Sequence, residues 1–298
     1  MSINLITDHD TTAIHGSVAA EGVRSNRFNI AAIALSMSFL AGCAAAPLDR
    51  AGSLRSYDGL TRSNGLVARS LLRVSKDDVL AAKTVKIIPT AFSMRADSAA
   101  FTPAQRNLVT NAVDRALCSG LSERFAVVGL SEPADLTVRA VVTQVKATNA
   151  TAVGVSKAAS VGASVLLPNV PVPRIPIGMG SLSLEAEALD RQGVQKAVMI
   201  WGRGANAFLD SGTVAKEGDA YSLAAKFGGD FSKLLVKGST PFGTMPSMLS
   251  KAQLNALVGR APKYEACKVF GKSPGVAGFI GEKMGLPPKW TDKAAPNP

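Results

Sequence analysis

Two carboxylates, Glu185 and Glu187, stand on either side of Ala186 in the stretch SLEAEALD. Alternate residues of a strand share a face, so the two project together. A pair of this kind can divide general-acid and general-base work, or hold a cation. The competing reading is a solvated outer face, on which Arg139 and Arg203 from neighbouring strands neutralise the pair. The sequence favours the solvated face, because nothing else completes a reaction centre. Asp77-Asp78 and Ser75-Lys76 are pairings that any chain of this size contains by chance. The histidines, His9 and His15, both precede Cys43, and none follows it. Ser-His-Asp and Cys-His nucleophile systems need an imidazole, as do His-based zinc, copper and iron sites. There is no CxxC, no GxSxG, no P-loop and no GxGxxG after a strand. The expectation is no catalytic residue, no cofactor and no metal site.

The cysteine with chemistry of its own is Cys43. Residues Ile30–Leu40, IAAIALSMSFL, form an uncharged apolar run preceded by Arg24 and Arg27. A basic flank and a short apolar run read as a secretory signal. A membrane-spanning helix needs about 20 apolar residues, more than this run supplies. Leu40-Ala41-Gly42-Cys43 follows and resembles the lipobox of bacterial lipoproteins. That motif implies cleavage after Gly42 and a diacylglycerol on the Cys43 thiol, with the new amine acylated in turn. More than one acyl chain makes a stable anchor, at about 0.8 kcal/mol per buried CH₂. The leader is long and carries Asp8, Asp10 and Glu21; Val23 is an alternative start. Ala44 and Ala45, with no aspartate after the cysteine, favour the outer membrane, with the body on its periplasmic face.

Cleavage removes two of the 33 Lys+Arg and three of the 22 Asp+Glu, leaving a net charge of +12. So basic a body suits anionic lipid or an acidic envelope protein as partner. Nucleic acid is not expected, since the aromatic interleaving that stacks on bases is missing. Aromatic residues are 5% of the chain, too few for a carbohydrate platform. Cys118 and Cys267 remain as a pair in an oxidising compartment, which predicts a disulfide. On its helix the apolar stripe is Leu108, Val109, Ala112, Val113, Ala116 and Leu117. Cys118 points nearly opposite, beside Asn107, Asn111 and Asp114, where a bare thiol would be unusual. The alternatives are a free thiol covered by another segment, or a metal-binding or catalytic thiol.

These residues need elements to hold them. Residues 44–80 begin as a linker-like arm with Arg50, Arg55, Arg62, Arg69 and Arg73, and SLRSYDGL docks on the body through Leu54, Tyr57 and Leu60. KTVKIIPT (Lys83–Thr90) reads as a strand. Thr102, Pro103 and Gln105 form a capping box opening a helix to about Ser119, with Gly120 at its exit. FAVVGL and LTVRAVVTQVKA are strands, and the alternating SLSLEAEALD forms a hairpin with KAVMIWGRGANAF. Leu223, Phe227, Phe231 and Leu234 mark a second long helix, in which Gly228 and Gly229 either weaken it or permit close packing. A further helix is expected near Pro246–Val258. The insert Thr148–Gly180 is small, apolar and proline-rich; it reads as a cover for one end of the sheet or as a loop touching a membrane.

The order β-α-β-β-(insert)-β-β-α gives an α+β fold, a mostly antiparallel sheet with two helices on one face. The expected divisions are a signal peptide (1–42), a tether and docking segment (43–80), an α+β domain (81–238) and a C-terminal helical extension (239–298). The lipobox, SYDGL, the strand before the first helix, the small-residue insert and SLEAEALD together resemble a family of bacterial lipoproteins known as domain of unknown function 3313. The similarity spans about Leu54 to Gly238 and implies location and a one-domain body, with no catalytic residues. The leading expectation is a non-enzymatic binding or envelope-assembly lipoprotein. A carboxylate-dependent hydrolase using Glu185 and Glu187, and a carrier of an apolar ligand with the insert as lid, stand as alternatives.

Overall fold

The alternating apolar runs of the sequence pair into one sheet. A computed structural model describes residues 46–93, 101–156, 158, 178–243 and 251–292. The early elements are β1 (Thr61–Arg62), β2 (Arg69–Val74), α1 (Lys76–Ala81), β3 (Thr84–Ile87), β4 (Ala91–Phe92) and α2 (Pro103–Leu121). Next come β5 (Ala126–Val128), β6 (Leu136–Lys146), β7 (Ser181–Leu189), β8 (Gln195–Gly204) and α3 (Gly218–Lys237). The extension holds α4 (Lys251–Leu257), a 3-10 helix (Glu265–Phe270), α5 (Gly275–Met284) and a short 3-10 turn (Pro288–Trp290).

The fold is α+β. Its strand order is β1-β2-β8-β7-β6-β3-β5, with β4 also pairing β6. The β1/β2, β2/β8, β6/β7 and β7/β8 pairs are antiparallel, while β3 and β4 run parallel to their partners. β7 lies at the centre, with Leu184 opposite Val142 on one side and Trp201 on the other. Leu182, Leu184, Ala186 and Ala188 face the core beneath α2 and α3, as the alternation predicts. The sheet has two distinct ends: a hairpin end at Leu189 and Gln195, and an insert end at Lys146, Ser181 and Gly204.

The tether reading requires correction. Residues Arg69–Val74, RSLLRV, form strand β2 in continuous register with β8. Leu72 enters the main core and Leu71 joins the cluster on the opposite face. The arginines drew attention to charge, but alternation decided the structure; Arg stems are long enough to carry their heads out to water.

Helix α2 starts at the expected capping box, with Thr102 and Gln105 bonding reciprocally. It runs through Gly120 to Leu121, one residue beyond the exit expected there. Gly120 serves contact instead: a Cβ on it would lie 2.5 Å from Ser232 of α3. One turn earlier on α3, a Cβ on Gly228 would lie 2.5 Å from the Ala116 Cβ and 3.1 Å from the Val113 carbonyl. The two glycines let the helices pack backbone to backbone while Phe227 and Phe231 fill the space over Trp201. Helix α3 ends at Gly238 in the left-handed conformation (φ 63°), which glycine adopts without strain.

Gly229 has nothing within 4 Å of its added Cβ. Gly228→Ala should therefore destabilise the protein by about 1–3 kcal/mol. Gly229→Ala should stabilise it by about 0.5–1 kcal/mol, through helix propensity alone. Thermal unfolding followed by circular dichroism checks the pair; equal shifts would mean that the helices do not meet at Gly228.

Candidate functional site

Glu185 and Glu187 project from β7 to the sheet face away from α2 and α3. Both are 0% exposed, so the expected solvated face is not there. What covers them is the chain's own segment 46–57. Glu185 accepts from Ala51 N–H (2.8 Å), Ser53 N–H (3.2 Å), the Ser53 hydroxyl and the Tyr57 hydroxyl (2.8 Å to Oε2). Glu187 accepts from Arg55 N–H (2.9 Å), Gln195 Nε2 (2.5 Å) and the Arg139 guanidinium. Leu54, Tyr57 and Leu60 pack with Leu48, Leu71, Val198 and Ile200 alongside, so the predicted docking residues do dock.

The physical reason is the cost of a buried charge. A carboxylate taken out of water costs several kcal/mol unless donors replace its hydration. Here backbone N–H groups and hydroxyls take that place. Burial, then the bond to Glu185, pushes the Tyr57 hydroxyl above its ordinary pKa. Arg139 sits opposite Glu187 in register and pairs with it, as the sequence implied. Arg203 does not join: its partner is Asp210 at 2.9 Å, which Lys226 also approaches. The donors Ser53, Tyr57 and Gln195 were not singled out as ligands to the carboxylates in the sequence. Tyr57 within SYDGL was the available signal; Gln195 carried none.

The second cluster lies on α2. Cys118 and Cys267 form a disulfide, with Cα atoms 5.9 Å apart. The polar helix face read from the sequence is buried under other segments. Cys118 is covered by the 3-10 helix that carries Cys267. Asp114 is held by the backbone N–H and hydroxyl of Thr90, and burial raises its pKa to about 7. Arg115 joins the extension too, bonding the Phe270 carbonyl and pairing with Asp292, which also accepts from Tyr221 (2.7 Å). Burial pushes the Tyr221 hydroxyl well up. Residues 177 positions apart meet here, beyond the reach of any local sequence signal.

A family model described as "Protein of unknown function (DUF3313)" matches residues 49–231. The chain belongs to that family. No curated protein matches. Solved structures that resemble the chain include two PelC dodecamers from Paraburkholderia phytofirmans, one a point variant. Both are 9% identical and cover 60% of this chain, with 95% and 96% of their own chains covered and TM-scores of 0.28 and 0.31. In this DUF3313 chain, every residue of the carboxylate cluster lies within the matched span, and Cys267 lies beyond it.

Between α2, α3 and the stapled extension runs a groove of about 620 Å³. Ala116, Gly120, Ala225 and Gly229 line it on the body side, Phe279 and Leu286 on the extension side. Among the described residues, no group of three or more His, Cys, Asp or Glu could hold a metal ion. Gly42 and Cys43 lie outside the described residues, as do Lys157 and 159–177 of the insert. The described part of the insert has helical residues at 150–156, and Asn149 N–H bonds the Gly178 carbonyl.

Glu185→Ala removes the acceptor for two backbone N–H groups and two hydroxyls at once. The expected loss is about 3 kcal/mol, with trypsin cutting at Arg50 and Arg55 far faster than in the parent. Glu185→Gln should fall between them. Unchanged cleavage of Glu185→Ala would show that the segment is held by its apolar residues alone.

Proposed function

We propose that this chain is a lipid-anchored protein of the bacterial envelope, held on the periplasmic face of the outer membrane. Its body acts as a binding or assembly scaffold and not as an enzyme. The lipobox at Leu40–Cys43 motivates the anchor. The single observation that carries the reading is the folded state of the chain just after it. From Ala46 onward the segment is ordered on the sheet, with Ala46 itself 1% exposed. Three residues span at most about 11 Å. A lipid on Cys43 would therefore hold the whole sheet against the bilayer, not on a loose leash.

The donors around Glu185 and Glu187 all come from the chain itself. This weighs against a hydrolase using them, since no oxygen is left to face a substrate. The groove between α2, α3 and the extension favours one second reading, carriage of an apolar ligand. Its volume of about 620 Å³ falls within the range typical of ligand sites.

Metabolic labelling with an alkyne palmitate analogue tests the anchor. The parent chain should label and fractionate with the outer membrane, and Cys43→Ala should do neither. Equal labelling of the two would refute the reading.

A further inference from the structure

The segment that covers Glu185 and Glu187 has a direction. Arg55 lies by Glu187, Ala51 and Ser53 by Glu185, and the Pro47 carbonyl accepts from Ser183 (2.7 Å). Ala46, Pro47 and Leu48 all crowd Gly202. Going back toward Cys43, the chain thus climbs to the insert end of the sheet, where Ser181 and Gly204 pair.

That end is unusually apolar for a surface. The loop after β8 exposes Phe208 (70%), Leu209 (56%) and Val214 (41%). Val214 N–H bonds the Gly285 carbonyl (2.8 Å), which joins this loop to the end of α5. On α5, Val276, Ile280 and Met284 are each at least half exposed and share one face by helical phase, with half-exposed Phe279 at the groove edge beside it; Trp290, packed beside that helix, is 65% exposed. Scattered exposed apolar side chains are ordinary, but a contiguous set marks a docking surface.

Charge at the same end is sorted by depth. Lys146, Lys216, Lys283 and Lys289 are exposed. The acids are turned inward: Asp210 to Arg203, Glu217 to Gln105, Asp219 to the Gly180 N–H, Glu282 to Ser222, and Asp292 to Arg115. Asp49, the exposed exception nearby, is bonded by Gln144. The opposite, hairpin end is mixed instead, with Asp58, Asp77, Asp78 and Glu123 exposed alongside Arg55, Lys76, Lys83 and Arg191. An apolar face ringed by lysines, with its carboxylates withdrawn, matches a bilayer whose headgroups are anionic; Trp, Phe and Lys are the side chains that settle at that interface.

We infer that the insert end of the sheet, with the loop carrying Phe208 and Leu209 and the outer face of α5, docks directly on an anionic lipid surface. The geometry of approach rests on the anchor reading, because the segment leading back to Cys43 reaches the same end. The docking itself needs no lipid on the protein. The occupant is the bilayer, which fits both the apolar face and the charge sorting; a second protein would need carboxylates placed against these lysines.

The test uses Cys43–Pro298, which forms a compact unit of its own, with Cys43→Ala so that no acyl chain contributes. The probe is phosphatidylcholine vesicles with and without phosphatidylglycerol. The chain should sediment with the anionic vesicles, less so at high salt, and not with the neutral ones. Emission from Trp290 should shift to the blue on binding, while the fully buried Trp201 reports the intact core. Phe208→Ser with Leu209→Ser, and separately Ile280→Ser with Met284→Ser, should weaken binding by about tenfold or more. Val194→Ser, at the hairpin end and 52% exposed, should leave it unchanged. Failure to sediment, or equal binding by all variants, overturns the inference. A chain that takes palmitate in cells yet fails here refutes the docking surface alone. One that sediments here yet takes no palmitate refutes the anchor alone.

Discussion

A pair of buried carboxylates on the central strand constrains this structure more than any other feature. β7 is covered on both faces, and on one of them it places Glu185 and Glu187 out of reach of water. Such groups are tolerated only where donors surround them. The donors come from the segment nearest the proposed anchor, with Gln195 and Arg139 completing the set. The residues that would connect body to membrane are thereby part of the fold. Their order, from Arg55 up to Ala46, also fixes the end of the sheet at which the chain leaves it.

The other sheet face shows the same economy of contact with different chemistry. Gly120 and Gly228 let α2 and α3 approach closely, and aromatic side chains fill what lies below. The extension then rides on α2 through Cys118–Cys267 and the Arg115–Asp292 pair. A crosslink closing so long a loop is worth about 2–4 kcal/mol, model-dependent. This suffices to hold a segment whose α5 leaves several apolar side chains in solvent. The two ends of the sheet are thereby unlike, one with exposed apolar side chains and lysines, the other with exposed charges of both signs.

Strands, helices and the disulfide were legible because each left a local or elimination signal. Alternation marked β7 and β8, Thr102 and Gln105 marked the start of α2, and the pairing of the two remaining cysteines followed from compartment and helix phase. The solvated-face reading of Glu185 and Glu187 failed for a definite reason. Alternation tells which side of a strand a residue faces, and not what lies over that side. The cover comes from more than 125 residues upstream, and Leu54 and Tyr57 announced docking without naming its target. Strand β2 was hidden for the opposite reason: its arginines masked a period-two pattern that the sheet used.

The central claim is that the segment following Cys43 is a folded part of the sheet, held by Glu185 and Glu187. Amide hydrogen exchange at Ala51, Ser53 and Arg55 tests it most directly. These three N–H groups point at carboxylates and at nothing else. The account predicts exchange slowed at least about 100-fold relative to an unstructured chain, comparable with β8. Exchange at the unstructured rate, while β7 and β8 stay protected, would contradict it.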